Sequence, residues 1–574
     1  MKINPNSLYK YGILEFLLIF LFVFMGNNYY PRPEKRILAD GEGYHDYLKS
    51  SFIFHDLDRK DLKKDSEVYE RLQKYGFYLE YKEGMVNKYT CGTAVLQLPF
   101  FWMAYLEVND QEKITGEEEP FQYWAFYAGL FYAFFGLLFL RLAFLQFNLQ
   151  PLSIVIVQAA ILLATSYTHE LNYGVSGSHI YSFFAISAFL YFSRRYFKEQ
   201  KIRLFYFACL ALGFILIIRQ INILVLLFLP VIAGDWKTLK MGMLRLFKPL
   251  SQFVIGLGII FLVGLFQVYF WYQQTGDPIV YSYGSEKFFF SYPHISEMLF
   301  SYRRSLFVYA PISIVSFLGS FHLMHQKKYF QLISWWVGFL VLTYVFSCWW
   351  DWTYGASYGQ RVFIDFYPIL FLMIAFYLKF IGKLGQIVFI GLLTWAVFLN
   401  TTQIYQWKKY IIDFHFNTEE KYDKVFLKTD KKYEGLFFQL PDKLNDLQTT
   451  KEFKAGSIEL NESGEQLAFE IVDSTGLDYT QFICLEFESD FPESSDAEIT
   501  VAMEDLATSQ PIFWAKKPMI HFAKKSFDEQ HKGYYLFGCD LAPTDHPILY
   551  RVFIHADADF HSAKNLELKT MKKQ

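Results

Sequence analysis

Within the stretch LADGEGYHDYLKSSF, residues 38 to 52, three side chains could move a proton or hold a cation: Asp40, Glu42 and His45. The stretch begins shortly after an apolar run ends, so its carboxylates sit where lipid and protein could shield them from water. A carboxylate in such a place can take a proton from a hydroxyl or help to bind a divalent cation. The same pattern also suits a solvated turn. A second acidic group lies in YTHELNYGVSGSHIY, which contributes His169, Glu170 and His179. Asp40 and Glu170 are the pair that could share a cation such as Mg or Mn. The histidines equally suit packing at a membrane edge.

Basic and aromatic groups follow. In NKYTCGTAVLQLPFF (87–101), Lys88 is a mobile point charge suited to a phosphate, although a lysine that snorkels past lipid looks the same. Arg219 lies in IIRQIN, between two short apolar runs. Tyr283 lies in YQQTGDPIVYSYGSEKFFFSYPH (272–294), and Arg303 and Arg304 in SYRRSLFVYAP (301–311). Rings beside planar guanidinium groups suit sugar stacking and phosphate binding, and they also suit an interfacial belt. In CWWDWTYGASYGQRVFIDFYP (348–368), Asp351, Arg361 and Asp365 stand at a helix mouth. An arginine next to hydrocarbon is costly unless an anion meets it. Glu15 is expected merely to snorkel to the near membrane surface.

The elements that position these groups are mostly membrane helices. The chain has 574 residues, 53% of them hydrophobic and 21% aromatic. Apolar runs long enough to cross a bilayer recur at 11–27, 121–141, 151–167, 178–193, 203–218, 221–234, 251–272, 306–323, 329–347, 363–381 and 386–402. The segment 93–107 is short and contains Pro99, which suits a helix lying along the surface. With that segment left out of the span count, the basic loops at 193–203, 235–248, 325–329 and 382–385 all fall on one side. Positive loops mark the cytoplasmic face, so the N-terminus is expected inside and the C-terminal region outside. Surface helices are expected near 44–55, 64–75 and 93–107. After residue 403 the period changes: GSIEL, QLAFEIV, FICLEFES, AEITVAM and PILYRVFIHA alternate apolar and polar residues, as half-buried strands do. The fold class expected is therefore a polytopic α-helical membrane domain (1–403) of about eleven spans, followed by an all-β, sandwich-like extracytoplasmic domain (404–574). The five cysteines show no metal-type spacing, and a Cys484–Cys539 disulfide is open if that domain is outside.

ADGEGY, NKYTCGTAVLQLPFF, SGSHIYSFF, IIRQINIL, YQQTGDPIVYSYG and WWDWTYGASYGQRVFIDFYP together resemble the GT-C superfamily of membrane glycosyltransferases. The branch most resembled holds protein O-mannosyltransferases, aminoarabinose transferases and uncharacterised bacterial members. The resemblance covers roughly residues 1 to 403 and rests on the order of the motifs, none of which is specific alone. It implies an inverting transfer of a hexosyl or pentosyl group from a polyprenyl-phosphate donor to a lipid, protein or glycan acceptor. The site would lie at the outer face of a bacterial inner membrane. By carry-over, Asp40 is the general base, with Glu42 as its substitute. Lys88 and Arg361 hold the leaving phosphate, and Glu170 binds a cation or orients the acceptor. The family's adjacent Asp-Glu pair is interrupted here by Gly41, which puts metal dependence in question. No nucleic-acid partner is implied. A transporter or flippase of lipid-linked glycans, or a non-catalytic assembly protein, is the alternative. Transporters usually place charge at mid-membrane within broken helices, whereas these groups gather at one face.

Overall fold

The computed structural model describes residues 12–29, 35–58, 77–82, 84–108, 114–284, 286–355, 357–414, 417–434, 437, 447–454, 458–459, 464–489, 498–518, 532–541, 543–556 and 562–573. The chain divides into two compact units, Met1–Tyr405 and Gln406–Gln574.

The first unit is helical. Five helices are long and apolar enough to cross a membrane: Glu119–Leu145, Ser251–Thr275, Tyr329–Ser347, Arg361–Phe380 and Lys383–Lys408. Each covers an expected span. Four more expected spans are shorter apolar helices, at Ile13–Gly26, Pro151–Leu163, Ile202–Ile218 and Gln220–Ala233. The expected span 178–193 lies within the helix His179–Glu199, whose end carries Arg194, Arg195, Lys198 and Glu199. The expected span 306–323 is not one helix. Leu306–Tyr309 stops short of Pro311, and a 3-10 stretch Pro311–Leu318 leads into Gly319–His325. Proline lacks the N–H that would have continued the first helix, so the chain restarts there.

Glu15 does not snorkel. It is fully buried, 2.6 Å from Arg141 Nε and 3.0 Å from Gln158 Nε2, and so fixes the first helix to Glu119–Leu145 and Pro151–Leu163. An ion pair held this far from water needs good geometry and further hydrogen bonds to offset desolvation, and Gln158 supplies one.

Of the expected surface helices, Asp40–Phe52 and Gly92–Glu107 are present, and 64–75 lies outside the described residues. Gly92–Glu107 has 16 residues, about 24 Å at 1.5 Å per residue. An antiparallel hairpin, β1 (Tyr78–Tyr81) and β2 (Gly84–Asn87), lies between them. Tyr44, Phe77, Tyr78, Met85 and Tyr89 form a buried cluster that packs the hairpin on the Asp40–Phe52 helix. Tyr47 donates to the Tyr89 carbonyl at 2.6 Å, and Asn87 to the Gly43 carbonyl at 2.8 Å.

The second unit holds two antiparallel sheets. One runs β5 (Gly464–Asp473), β10 (Ile548–Ala556), β7 (Glu498–Asp505), β8 (Gln510–Pro518). The other runs β3 (Leu447–Lys454), β11 (Ser562–Lys573), β6 (Thr480–Ser489), β9 (Lys532–Leu541), with β4 (Ile458–Glu459) against β11. Ile483, Leu485 and Phe487 of β6 share a core with Val501, Met503, Val552 and Ile554 of the other sheet. The two-residue alternation thus builds a sandwich. Cys484 and Cys539 are not joined in a disulfide: Cys539 packs in that core, whereas Cys484 sits with Leu536 and Met571 in a separate cluster.

The Asp40–Phe52 helix lies very close to the loop before His179. A Cβ at Gly41 would come 1.9 Å from Ser176 Oγ, so this glycine is required by space. Gly41→Ala is expected to lower the melting temperature of the detergent-solubilised protein, an overpacking cost of about 1–3 kcal/mol. Adding Ser176→Gly should restore part of the loss, and differential scanning fluorimetry of the three proteins checks it.

Candidate active site

Asp40 opens its helix, where the positive end of the helix dipole favours a carboxylate. The segment before it is bolted down. Gln122 Oε1 accepts from the backbone N–H of Arg36 at 2.8 Å and of Ile37 at 2.9 Å, and Ser176 donates to the Arg36 carbonyl at 3.0 Å. Ala39 then takes φ +48°, a conformation rare for any residue but glycine, and turns the chain into the helix. This places Asp40 Oδ2 2.7 Å from Arg361 Nη2, while Tyr89 donates to Oδ1 at 2.8 Å. About a third of the Asp40 side chain, 34%, remains accessible.

Arg361 begins the 3-10 segment Arg361–Phe366, which continues as the helix Tyr367–Phe380. Its guanidinium acts on Glu170 as well as on Asp40. Glu170 is carried by the short helix Tyr167–Asn172, and its carboxylate lies over Gly174, where a Cβ would meet Oε2 at 2.3 Å. Burial alone would raise the Asp40 pKa. Arg361 first, then the Tyr89 hydroxyl and Lys88, outweigh it and hold Asp40 at about 2. Glu170 is likewise held below its ordinary value: burial pushes it up, and His169, His179 and Arg361 together pull it further down.

Lys88 follows β2 directly, and its backbone N–H bonds the Phe77 carbonyl at 2.8 Å. The loop after it is anchored by Gln267 Oε1, which accepts from the Cys91 N–H at 2.7 Å, and by Thr90 donating to the Ile218 carbonyl at 2.8 Å. Lys88 Nζ pairs with Glu286 at 2.5 Å and lies 5.6 Å from the Tyr283 ring centre. Tyr283 stands edge-on to Trp349 and feels the charges of Arg219 and Asp40. Tyr44, whose hydroxyl burial raises to about 12, is acted on by Arg219, Asp40 and Arg361. One polar cluster thus gathers Asp40, Lys88, Glu170, Arg219, Tyr283 and Arg361, with Tyr44, Tyr89 and Glu286 added by the structure.

The other expected residues are used differently. Glu42 is half-buried two residues along the helix, and such neighbours point to different sides. His45 is turned in among Phe101 and Phe121, with Nε2 3.3 Å from the Gly116 carbonyl, and burial drives its pKa down to about 3. His169 is packed beside the rings of Tyr173 and Tyr358. Asp351 closes its own loop, accepting from the N–H groups of Thr353 at 3.0 Å and Gly355 at 2.8 Å. Arg303 lies over Trp352, and Arg304 donates to Thr353 Oγ1 at 2.8 Å. Burial, with Arg303 beside it, pushes Arg304 down to about 9. His179 pairs with Asp365 Oδ1 at 2.7 Å.

The residues present do not fit a divalent cation. Both Asp40 oxygens are taken by cationic or hydroxyl donors, and Arg361 supplies the positive charge that a metal would bring. Among the described residues no three His, Cys, Asp or Glu side chains gather as ligands.

Arg361→Gln should raise the Asp40 pKa by at least about 1 unit, because an adjacent arginine depresses a carboxylate by about 1–3. The carboxyl infrared band, assigned by its loss in Asp40→Asn, checks the shift. In the unsubstituted protein the folded-state pKa is the depressed one. The pair therefore contributes stability above about pH 4, lost as pH falls toward about 2.

No protein-family model matches the chain, and no curated protein matches it. Among solved structures it is similar to the apo form of the oligosaccharyltransferase of Archaeoglobus fulgidus, with 12% identity and a TM-score of 0.40. The match takes in 73% of this chain, which spans 60% of the length of that one.

Proposed function

We propose that this chain is an inverting GT-C-type glycosyltransferase that moves a sugar from a polyprenyl-phosphate donor to a hydroxyl-bearing acceptor. The observation that carries this is the partly accessible Asp40–Arg361 pair, clustered with Lys88, Arg219 and aromatic rings. The acceptor oxygen attacks the anomeric carbon from the Asp40 side and gives its proton to the carboxylate. The bond from that carbon to the phosphate oxygen breaks, and the phosphate keeps the electron pair. A single displacement inverts the centre. Arg361 and Lys88 meet the charge growing on the phosphate, where preorganised donors stabilise a transition state most.

A carboxylate held at about 2 is a poor base, and the site contains its own remedy. When the donor phosphate takes Arg361, the main depressing charge is shared and burial raises the carboxylate's basicity. Pairing in the resting site also keeps Asp40 ionised and aimed.

The membrane is a bacterial inner membrane, with the N-terminus cytoplasmic and the polar cluster and sandwich domain extracytoplasmic. Loop charge supports this orientation. The ends of apolar helices, where Arg219 and Arg361 lie, support an enzyme over a mid-membrane transporter.

Asp40→Asn should reduce sugar transfer by about 10²–10⁴-fold while membrane insertion persists and the melting temperature falls only by the lost Arg361 pair. The assay is purified protein with a panel of polyprenyl-phosphate sugars, and undiminished transfer removes Asp40 from the base role. Topology reporters attached after residues 200 and 410 should read cytoplasmic and extracytoplasmic respectively.

A further inference from the structure

Arg219 stands where the helix Ile202–Ile218 ends and the 3-10 stretch Gln220–Phe228 begins. Its Nη1 is 3.0 Å from His179 Nε2, and its Nε is 3.5 Å from Asp365 Oδ2. Asp365 is fully buried. Its Oδ1 is 2.7 Å from His179 Nδ1, and its Oδ2 accepts from Asn222 Nδ2 at 2.8 Å. Asn222 Nδ2 also reaches Ser182 Oγ at 3.1 Å. One imidazole tautomer satisfies the whole set: Nδ1–H donates to Asp365, and Nε2 accepts from Arg219. Asp365 therefore grips Arg219 both directly and through His179.

Asp365 also lies four residues after Arg361 in the same 3-10 segment. Arg219 and Arg361 are within range of each other's charge, and both act on the Tyr44 hydroxyl. Each has its own carboxylate, Asp365 for one and Asp40 for the other. Two guanidinium groups within range of each other's charge repel, and an anion between them relieves that repulsion.

Resting on the donor class proposed above, we infer that Asp365 is a positioning residue which fixes Arg219 so that Arg219 and Arg361 close on the donor phosphate from two sides. A buried carboxylate whose only task were to stabilise the fold would leave phosphate affinity unmoved, and one acting only through its charge would repel the phosphate. Asp365→Asn separates these roles. Removing a negative charge favours an anion by simple electrostatics, whereas loss of positioning disfavours it.

The test is calorimetric titration of the full-length, detergent-solubilised protein with farnesyl phosphate. Arg219→Gln and Arg361→Gln should each weaken binding by about tenfold or more. Asp365→Asn should also weaken it by about tenfold, and should add nothing in an Arg219→Gln background. Binding of Asp365→Asn at or above the original affinity, or full additivity with Arg219→Gln, overturns the inference and leaves the donor reading in place. If Asp365→Asn does not fold, Asn222→Ser takes its place, with a smaller loss expected that again vanishes in Arg219→Gln. No change, or additivity, overturns the inference there too. A folded original protein that does not bind farnesyl phosphate overturns the donor reading, and this inference falls with it.

Discussion

A guanidinium at the mouth of an apolar helix has to be met by negative charge, and much of the surrounding packing brings Asp40 to Arg361. The two residues are far apart in sequence and lie on elements with no continuous connection. The helix that carries Asp40 therefore has to dock closely, and it does so through positions without side chains. Gly41 admits Ser176, and Gly43 admits the Tyr89 ring, which would lie 2.4 Å from a Cβ there. Gly92 brings the next helix against the backbone of Ile217, 2.5 Å from where its Cβ would be. The glycine that separates Asp40 from Glu42 is thus a packing requirement.

The same pairing recurs around the cluster. Lys88 is held by Glu286, Arg219 by Asp365 and His179, and Arg361 by Asp40. Each cation is oriented by a carboxylate on another element, so the cations are aimed before any ligand arrives. On the proposed chemistry this is preorganisation, since donors already in place need not reorganise as charge moves to the leaving group.

Long apolar runs and two-residue alternation made both halves of the chain legible, because each reports which face of an element is buried. Asp40, Glu170 and Arg361 were legible too, as ionisable groups next to apolar segments. Tertiary contacts decided the remainder. His45 looked as available as Asp40, but its place on the helix turns it toward Phe101 and Phe121. Glu286 lies in a loop without periodicity, and only folding brings it to Lys88. The 3-10 stretch at 220–228 has the composition of ordinary apolar helix, so its different winding left no trace in the sequence pattern. β11, with the sequence SAKNLELKTMKK, is rich in lysine, and its alternation is weak for a strand that lies between two others.

The buried Glu15–Arg141 contact has a bearing on how the protein is made. The two residues are 126 positions apart, and ribosomes add roughly 5–20 residues per second. On the order of ten seconds therefore separates the emergence of one from that of the other. During that interval the leading helix carries a carboxylate with no guanidinium to receive it, and a bare lipid surround is a poor home for it. Its final seating has to wait for the segment bearing Arg141, so the N-terminal helix is synthesised first but completes its assembly late.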